Sequence, residues 1–60
     1  CIEKSVCDAV KFRNKIGTEV AVEIIRNYLK RKDRNVSRLM DYAKQMRVLP
    51  TMRQYLEMGL

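Results

Sequence analysis

Between Thr18 and Arg31 the apolar residues arrive in pairs: Val20 and Ala21, Ile24 and Ile25, Tyr28 and Leu29. That is i, i+1, i+4, i+5, i+8 and i+9, a recurrence that lays all six along one side of an α-helix. A strand would bury every second residue and bring Glu19 and Glu23 onto one face with Ala21 and Ile25. The charges agree with the helix. Glu19 and Glu23 lie near its start and Lys30 and Arg31 near its end, so each meets the favourable end of the macrodipole, at about 0.3–1 kcal/mol apiece when exposed. Thr18 is placed to cap the start. Gly17, just before it, suits the end of whatever precedes, because glycine accepts a positive φ without strain.

The same period recurs on both sides. Ile2, Val6, Ala9, Val10 and Arg13 fall at i, i+4, i+7, i+8 and i+11, one face of a first helix. Ser5 and Asp8 have capping-box spacing, so this helix is expected to begin at Ser5 or earlier. Its apolar stripe stops at Val10, with Phe12 on the flank. Lys30 to Val36 reads as a polar connector. Ser37 is then the expected cap of a third helix with Leu39, Ala43 and Met46 as its seam and Met40 and Tyr42 beside it. Arg47-Val48-Leu49 reads as a corner. Pro50 suits the first turn of a last helix, where its missing N–H costs nothing. Met52, Tyr55 and Leu56 form that helix's inner face, and Gly59 is expected to end it. The prediction is an all-α fold, a small bundle of about four short helices, with residues 1–60 as a single domain. Helices of at most about 12–15 residues are not stable alone in water. A chain this short buries only about 60% of its unfolded surface, so a thin common core has to hold the helices together.

Several classes of function are disfavoured. No apolar run approaches the roughly 18 residues of a membrane span, and a 47% apolar content argues against disorder. The two cysteines, with no histidine anywhere, cannot close a four-ligand zinc site. Six residues of helix rotate by roughly 240°, so Cys1 and Cys7 would point apart and form no disulfide. They read as small apolar fillers in a reduced, cytoplasmic setting. There is no glycine-rich phosphate loop, no serine beside a base and no enclosed carboxylate pair. Glu19 and Glu23 share a helix face, but a chain of this size offers no deep pocket to perturb them. The expectation is a protein that is not an enzyme and needs no cofactor. The first residue is Cys1 rather than Met, which reads as a fragment of a longer protein.

The charge is concentrated. Arg26, Lys30, Arg31, Lys32, Arg34 and Arg38 stand against Asp33 alone, which accounts for five of the six net positive charges. Such a field attracts phosphates, acidic protein surfaces or anionic lipid; as a connector it is also an ordinary solvated run. Arg13, Asn14 and Lys15 pose the same choice. They are either a basic site for a partner or phosphate, or a helix corner. The corner reading has physical grounds, because Asn suits corners and a guanidinium can bond the orphan carbonyls of a helix end. On that reading, Asn14→Ala lowers the melting temperature. Tyr28, Tyr42 and Tyr55 sit on or beside apolar stripes, which favours packing over base stacking. Met40, Met46, Met52 and Met58 crowd the C-terminal half as adaptable fillers. Met58 and Leu60 follow the last seam and offer a surface to a neighbouring domain or a second copy. No helix displays several Arg, Asn or Gln residues on one outer face, so DNA contact by this segment would be salt-dependent and non-specific.

Asp8-Ala9-Val10-Lys11-Phe12-Arg13-Asn14-Lys15-Ile16-Gly17, followed by Val20-Ala21-Val22-Glu23, resembles the C-terminal part of the AbiEi-like antitoxins. These are abortive-infection proteins, often described as transcriptional regulators, of type IV toxin–antitoxin pairs. Val36-Ser37-Arg38-Leu39-Met40-Asp41-Tyr42-Ala43-Lys44 is similar to that family's next helix, and Met52-Arg53-Gln54-Tyr55-Leu56-Glu57 to its last. The likeness spans about residues 5–57. It implies an antitoxin segment that opposes a nucleotidyltransferase-type toxin without turnover. The family's longer proteins carry a winged-helix domain ahead of this segment and repress their own operon, so DNA binding belongs to the full-length protein. The implied partners are the toxin, that winged-helix domain or a second copy, and no membrane. Beside this stand two other readings: a basic nucleic-acid-binding module and a purely structural subdomain.

Overall fold

In the computed structural model, which describes residues 1–58, the chain forms five helical segments. These are α1 (Ile2–Lys11), α2 (Arg13–Ile16), α3 (Thr18–Leu29), α4 (Val36–Gln45) and α5 (Leu49–Glu57). No strand occurs among the described residues. The all-α expectation holds, and its four helices are joined by one additional single-turn segment, α2. Gly59, expected to end the last helix, and Leu60 lie outside the described residues.

α1 is the centre of the arrangement and touches each of the other four segments. Its inner face carries Val6, Cys7, Ala9 and Val10, all buried. Against them pack Ala21, Ile25 and Tyr28 from α3, Leu39 and Ala43 from α4, Met52 and Tyr55 from α5, and Val48 from the corner between α4 and α5. Fully burying an aliphatic side chain such as Ile25 or Leu39 contributes about 1.5–3 kcal/mol. The Cys7 thiol also donates to the Leu39 carbonyl at 3.4 Å, tying α1 to α4. The paired stripe of α3 is half right. Ala21, Ile25 and Tyr28 face the core, Ile24 and Leu29 flank it, and Val20 stays 49% exposed on the rim. A face of 3.6 period is wide enough for one row of residues and part of its neighbour row, not both in full.

The helix ends depart most from expectation. α1 begins at Ile2, within the expected start at Ser5 or earlier, but Ser5 lies inside it, its hydroxyl near the Cys1 carbonyl at 3.5 Å, and the Ser5–Asp8 capping box does not form. Packing of the Glu3 and Val6 positions extends the helix beyond the local capping signal. Thr18 is the first residue of α3 rather than its cap; Gly17 occupies the cap position at φ 97° and ψ 136°. Ser37 likewise lies within α4. The cap there is Asn35, whose side-chain oxygen accepts from the Arg38 N–H at 3.0 Å.

α1 also does not run through to Gly17. It breaks at Phe12, at φ −101° and ψ 23°, and α2 continues as one turn. At its far end α4 closes with the Met46–Val48 turn. The Val48 N–H bonds the Ala43 carbonyl at 2.8 Å and the Arg47 N–H bonds the Lys44 carbonyl at 3.2 Å, while Arg47 takes φ 62°. This is a Schellman closure. It turns Val48 back into the core beside Ala43.

Two positive-φ positions make opposite predictions. A Cβ at Gly17 would meet nothing within 4 Å, so Gly17→Ala strains only the backbone and should destabilise by about 1–3 kcal/mol. Arg47→Gly removes a Cβ from the left-handed region. Relief of about 1–2 kcal/mol outweighs glycine's entropic cost of about 0.5–1 kcal/mol, so its melting temperature should rise by a few degrees in a thermal scan followed by circular dichroism.

Candidate binding surface

The cationic residues fall into two groups that the fold keeps apart. Arg13, Asn14 and Lys15 precede α3, whereas Arg26, Lys30, Arg31, Lys32, Arg34 and Arg38 surround its far end. α3 has 12 residues, which is about 18 Å at 1.5 Å per residue. The two groups therefore form no single site along that helix.

At the first group the corner reading gains direct support at Arg13. Where the helix breaks at Phe12, the Arg13 guanidinium donates from Nη1 to the Val10 carbonyl at 2.8 Å, adding a side-chain donor to a helix end that cap backbone N–H groups also serve. Arg13 is half-buried; Asn14 and Lys15 are exposed. Among the described residues the Asn14 side chain makes no hydrogen bond. The stability once expected of Asn14 rests on Arg13 instead. The ammonium groups of Lys11 and Lys15 each stand 5.7 Å from the centroid of the Phe12 ring, a pair of cation–π contacts that holds both charges beside an exposed aromatic face.

The second group is exposed throughout, yet several members have internal work. Arg31 grips Asp33 through Nε at 2.9 Å and through its second nitrogen at 3.0 Å. That bidentate bond holds the Asp33 carboxyl below its ordinary value. Arg34 donates to the Arg31 carbonyl at 3.0 Å. Arg26 stands 3.8 Å from Glu23, and Arg38 stands 4.0 Å from Glu3. Lys30 and Lys32 make no ion pair among the described residues. The α3–α4 connector is thus a shaped loop, braced from within, that presents two lysine ammonium groups to solvent.

Behind the loop lies a polar cluster that sequence reasoning missed. Glu3 is 3% exposed. Its carboxylate accepts from the Tyr28 hydroxyl at 2.6 Å, and that hydroxyl in turn accepts from the Asn35 N–H at 2.7 Å. The Tyr28 hydroxyl is pushed above its ordinary value of 10.0 by burial first and by the bond to Glu3 second. Nearby, burial drives the Cys7 thiol from 9.0 up to about 11, with Asp8 and Glu3 adding to the shift. A signal for Glu3 was present in the sequence. It sits at i relative to Cys7 at i+4 and Val10 at i+7, on the inner face of α1. Both cysteines are free thiols, Cys7 buried and Cys1 exposed. Tyr28 and Tyr55 are core residues, while Met58 is 65% exposed at the end of α5.

No group of three or more His, Cys, Asp or Glu side chains among the described residues is arranged to hold a metal ion, and no described helix is long and apolar enough to cross a membrane. The surface offers fixed positive charge and exposed donors, the chemistry of anion or carboxylate recognition. No protein-family model, curated protein or solved structure matches the chain.

Two predictions follow from these contacts. Arg13→Ala should lower the melting temperature while Asn14→Ala leaves it within about 0.5 kcal/mol of the parent, measured by parallel thermal scans. Tyr28 and Cys7 both hold their protons more tightly when folded than when unfolded. The stability they contribute is full below their ordinary values of 10.0 and 9.0 and is lost as pH rises beyond them, in the case of Cys7 through about 11. Tyr28→Phe leaves Glu3 and the Asn35 N–H without their shared partner, at about 1–3 kcal/mol per stranded group. Urea unfolding at several pH values should show that loss near neutrality and a shallower alkaline decline than the parent's.

Proposed function

We propose that this chain is a non-catalytic binding module that opposes a partner protein by docking on it. In its narrower form it is the C-terminal helical portion of an AbiEi-like antitoxin whose partner is a nucleotidyltransferase-type toxin. One observation carries the binding reading: the α3–α4 connector is braced by Arg34, Asn35 and the Tyr28 hydroxyl, and it presents the exposed Lys30 and Lys32 on a fixed frame. A pre-shaped loop loses less entropy on binding than a free one. The narrower reading is supported by the sequence likeness, whose three blocks occupy the α1–α2 corner, α4 and α5.

Phosphate binding is the second reading, favoured by the same exposed cations. Against it, the charges lie on a connector rather than along one helix that enters a groove, and Arg31 is already matched by Asp33. Co-expression of the chain with a nucleotidyltransferase-type toxin tests the first reading by growth. Rescue is expected, and a Lys30→Glu/Lys32→Glu variant should lose it while melting within about 0.5 kcal/mol of the parent. Failure of the parent chain to rescue overturns the antitoxin reading. Tight duplex-DNA binding that falls steeply and linearly in log–log salt titration would favour phosphate contact instead.

A further inference from the structure

From Lys30 to Arg38 every residue is exposed, between the buried Tyr28 and the buried Leu39. This run comprises the α3–α4 connector and the first turn of α4, and none of its side chains is part of the hydrophobic core. Its side-chain bonds are mostly internal: Arg31 to Asp33, Arg34 to the Arg31 carbonyl, and the Asn35 side chain to the Arg38 N–H. The Arg31 N–H completes the last turn of α3 on the Tyr28 carbonyl at 3.0 Å. Among the described residues, one hydrogen bond ties the run to a side chain of the packed body, from the Asn35 N–H to the Tyr28 hydroxyl at 2.7 Å. The Arg38 guanidinium stands 4.0 Å from Glu3, an ion pair that its exposure weakens. Arg31 also stands on the rim of the open groove between α1 and α3, a space of about 350 Å³ with Ile2, Val6 and Ile24 in its floor.

A stretch that buries no apolar side chain and exposes its backbone opens at lower free energy than the core around it. We infer that Lys30–Arg38 is a strap that opens as one unit, unwinding the first turn of α4 as far as Leu39 while the core stays packed, and that the Tyr28 hydroxyl is its latch. Burial sets the limits of the unit, because Tyr28 and Leu39 are core residues. The first turn of α4 belongs to it because Asn35 serves both sides. The Asn35 N–H is latched to Tyr28, while its side chain and carbonyl hold the N–H groups of Arg38 and Leu39. When Asn35 leaves, the cap leaves with it. In the open state water takes the acceptor side of the Tyr28 hydroxyl, the Glu3–Tyr28 pair becomes wet, and Arg31 comes off the rim of the groove. Lys30 and Lys32 lose the frame that spaces them. A partner that needs that frame then binds with an affinity reduced by the closed fraction; this consequence, unlike the strap itself, rests on the binding-module reading above.

Native-state amide hydrogen exchange, backed by limited trypsin digestion, tests the strap. The Asn35, Arg38 and Leu39 amides are expected to share one opening. Relative to their unfolded rates they should exchange at least about tenfold faster than the buried Val10, Ile25 and Ala43. Low urea should speed the core amides and hardly change the strap amides, because a local opening exposes little surface. Ile25→Val weakens the core alone and should speed the core amides about two- to tenfold while leaving the strap amides as they are. Tyr28→Phe removes the latch and should speed the Arg38 and Leu39 amides about tenfold. Should Tyr28→Phe fail to fold, Asn35→Pro deletes the N–H from the other side and leaves the Glu3–Tyr28 bond in place. It should speed Arg38 and Leu39 more than Asn35→Ala, which loses only the cap. Lysines and arginines occur along the whole chain, so trypsin surveys it throughout; its first cut should fall within residues 30–34, and sooner in the latch variants than in Ile25→Val. The strap is overturned if its amides exchange as slowly as the core's, or follow the core's response to urea and to Ile25→Val. The latch is overturned if neither latch variant speeds Arg38 and Leu39 beyond its control. Slow exchange at Asn35 with growth rescue by the parent chain removes this inference alone; a fast-opening strap without rescue removes the antitoxin reading alone.

Discussion

The Tyr28 hydroxyl is the point on which the arrangement of helices turns. It donates inward to a carboxylate at the start of α1 and accepts outward from the backbone of the connector that leads into α4. Three segments distant in sequence are thereby fixed by one oxygen atom. Glu3 tolerates its burial because that bond is short and charge-assisted, with Arg38 within 4.0 Å on the other oxygen. Hydrophobic burial drives α1, α3 and α4 together without specifying how one slides along another. A directional bond between the first turn of α1 and the last turn of α3 selects a register. No buried side-chain nitrogen or oxygen among the described residues is left without a partner, so the polar cluster is fully satisfied, the condition under which such clusters specify a single packing.

That same oxygen connects stability to the exposed cations. Asn35 is bonded through its N–H to Tyr28 and through its side chain to the Arg38 N–H. It both ends the connector and starts α4. Between Asn35 and the end of α3 only a handful of residues remain, and the Arg31–Asp33 and Arg34–Arg31 bonds shape them. Exposed ion pairs of this kind add little to folding. Their effect is geometric: they keep the guanidinium groups against the loop and leave Lys30 and Lys32 as its outward charges. The high positive charge of the sequence is therefore partly consumed in shaping the surface that carries it.

The corner before α3 is built on a different economy. Where the helix breaks at Phe12, Arg13 adds a donor from its own side chain to the carbonyl of Val10. Gly17 then turns the chain at a φ that other residues resist. The result exposes Phe12 and Ile16 beside two lysines, while Val20 remains on the rim of α3. A stretch that looks like a basic motif is, in its first residue, a helix-end brace.

The sequence by itself determined that the chain is helical and which residues are greasy enough to meet. The 3.6 period of Ala21, Ile25 and Tyr28 and of Leu39, Ala43 and Met46 cannot serve a strand, and Pro50 and Gly17 mark ends by chain chemistry alone. It also located the charge, because composition along a line is visible without folding. Tertiary structure decided where helices begin, which half of a paired stripe is covered, and which polar residue goes inside. Ser5, Thr18 and Ser37 are competent caps, but a cap is worth about 1 kcal/mol, and packing against a neighbour outweighs it. Glu3 has an inner-face position in α1, but its charge argues against burial until Tyr28, 25 positions away, arrives to share it. The groove between α1 and α3 was illegible for the same reason: its floor is assembled from two helices, and no local pattern records the space left between them.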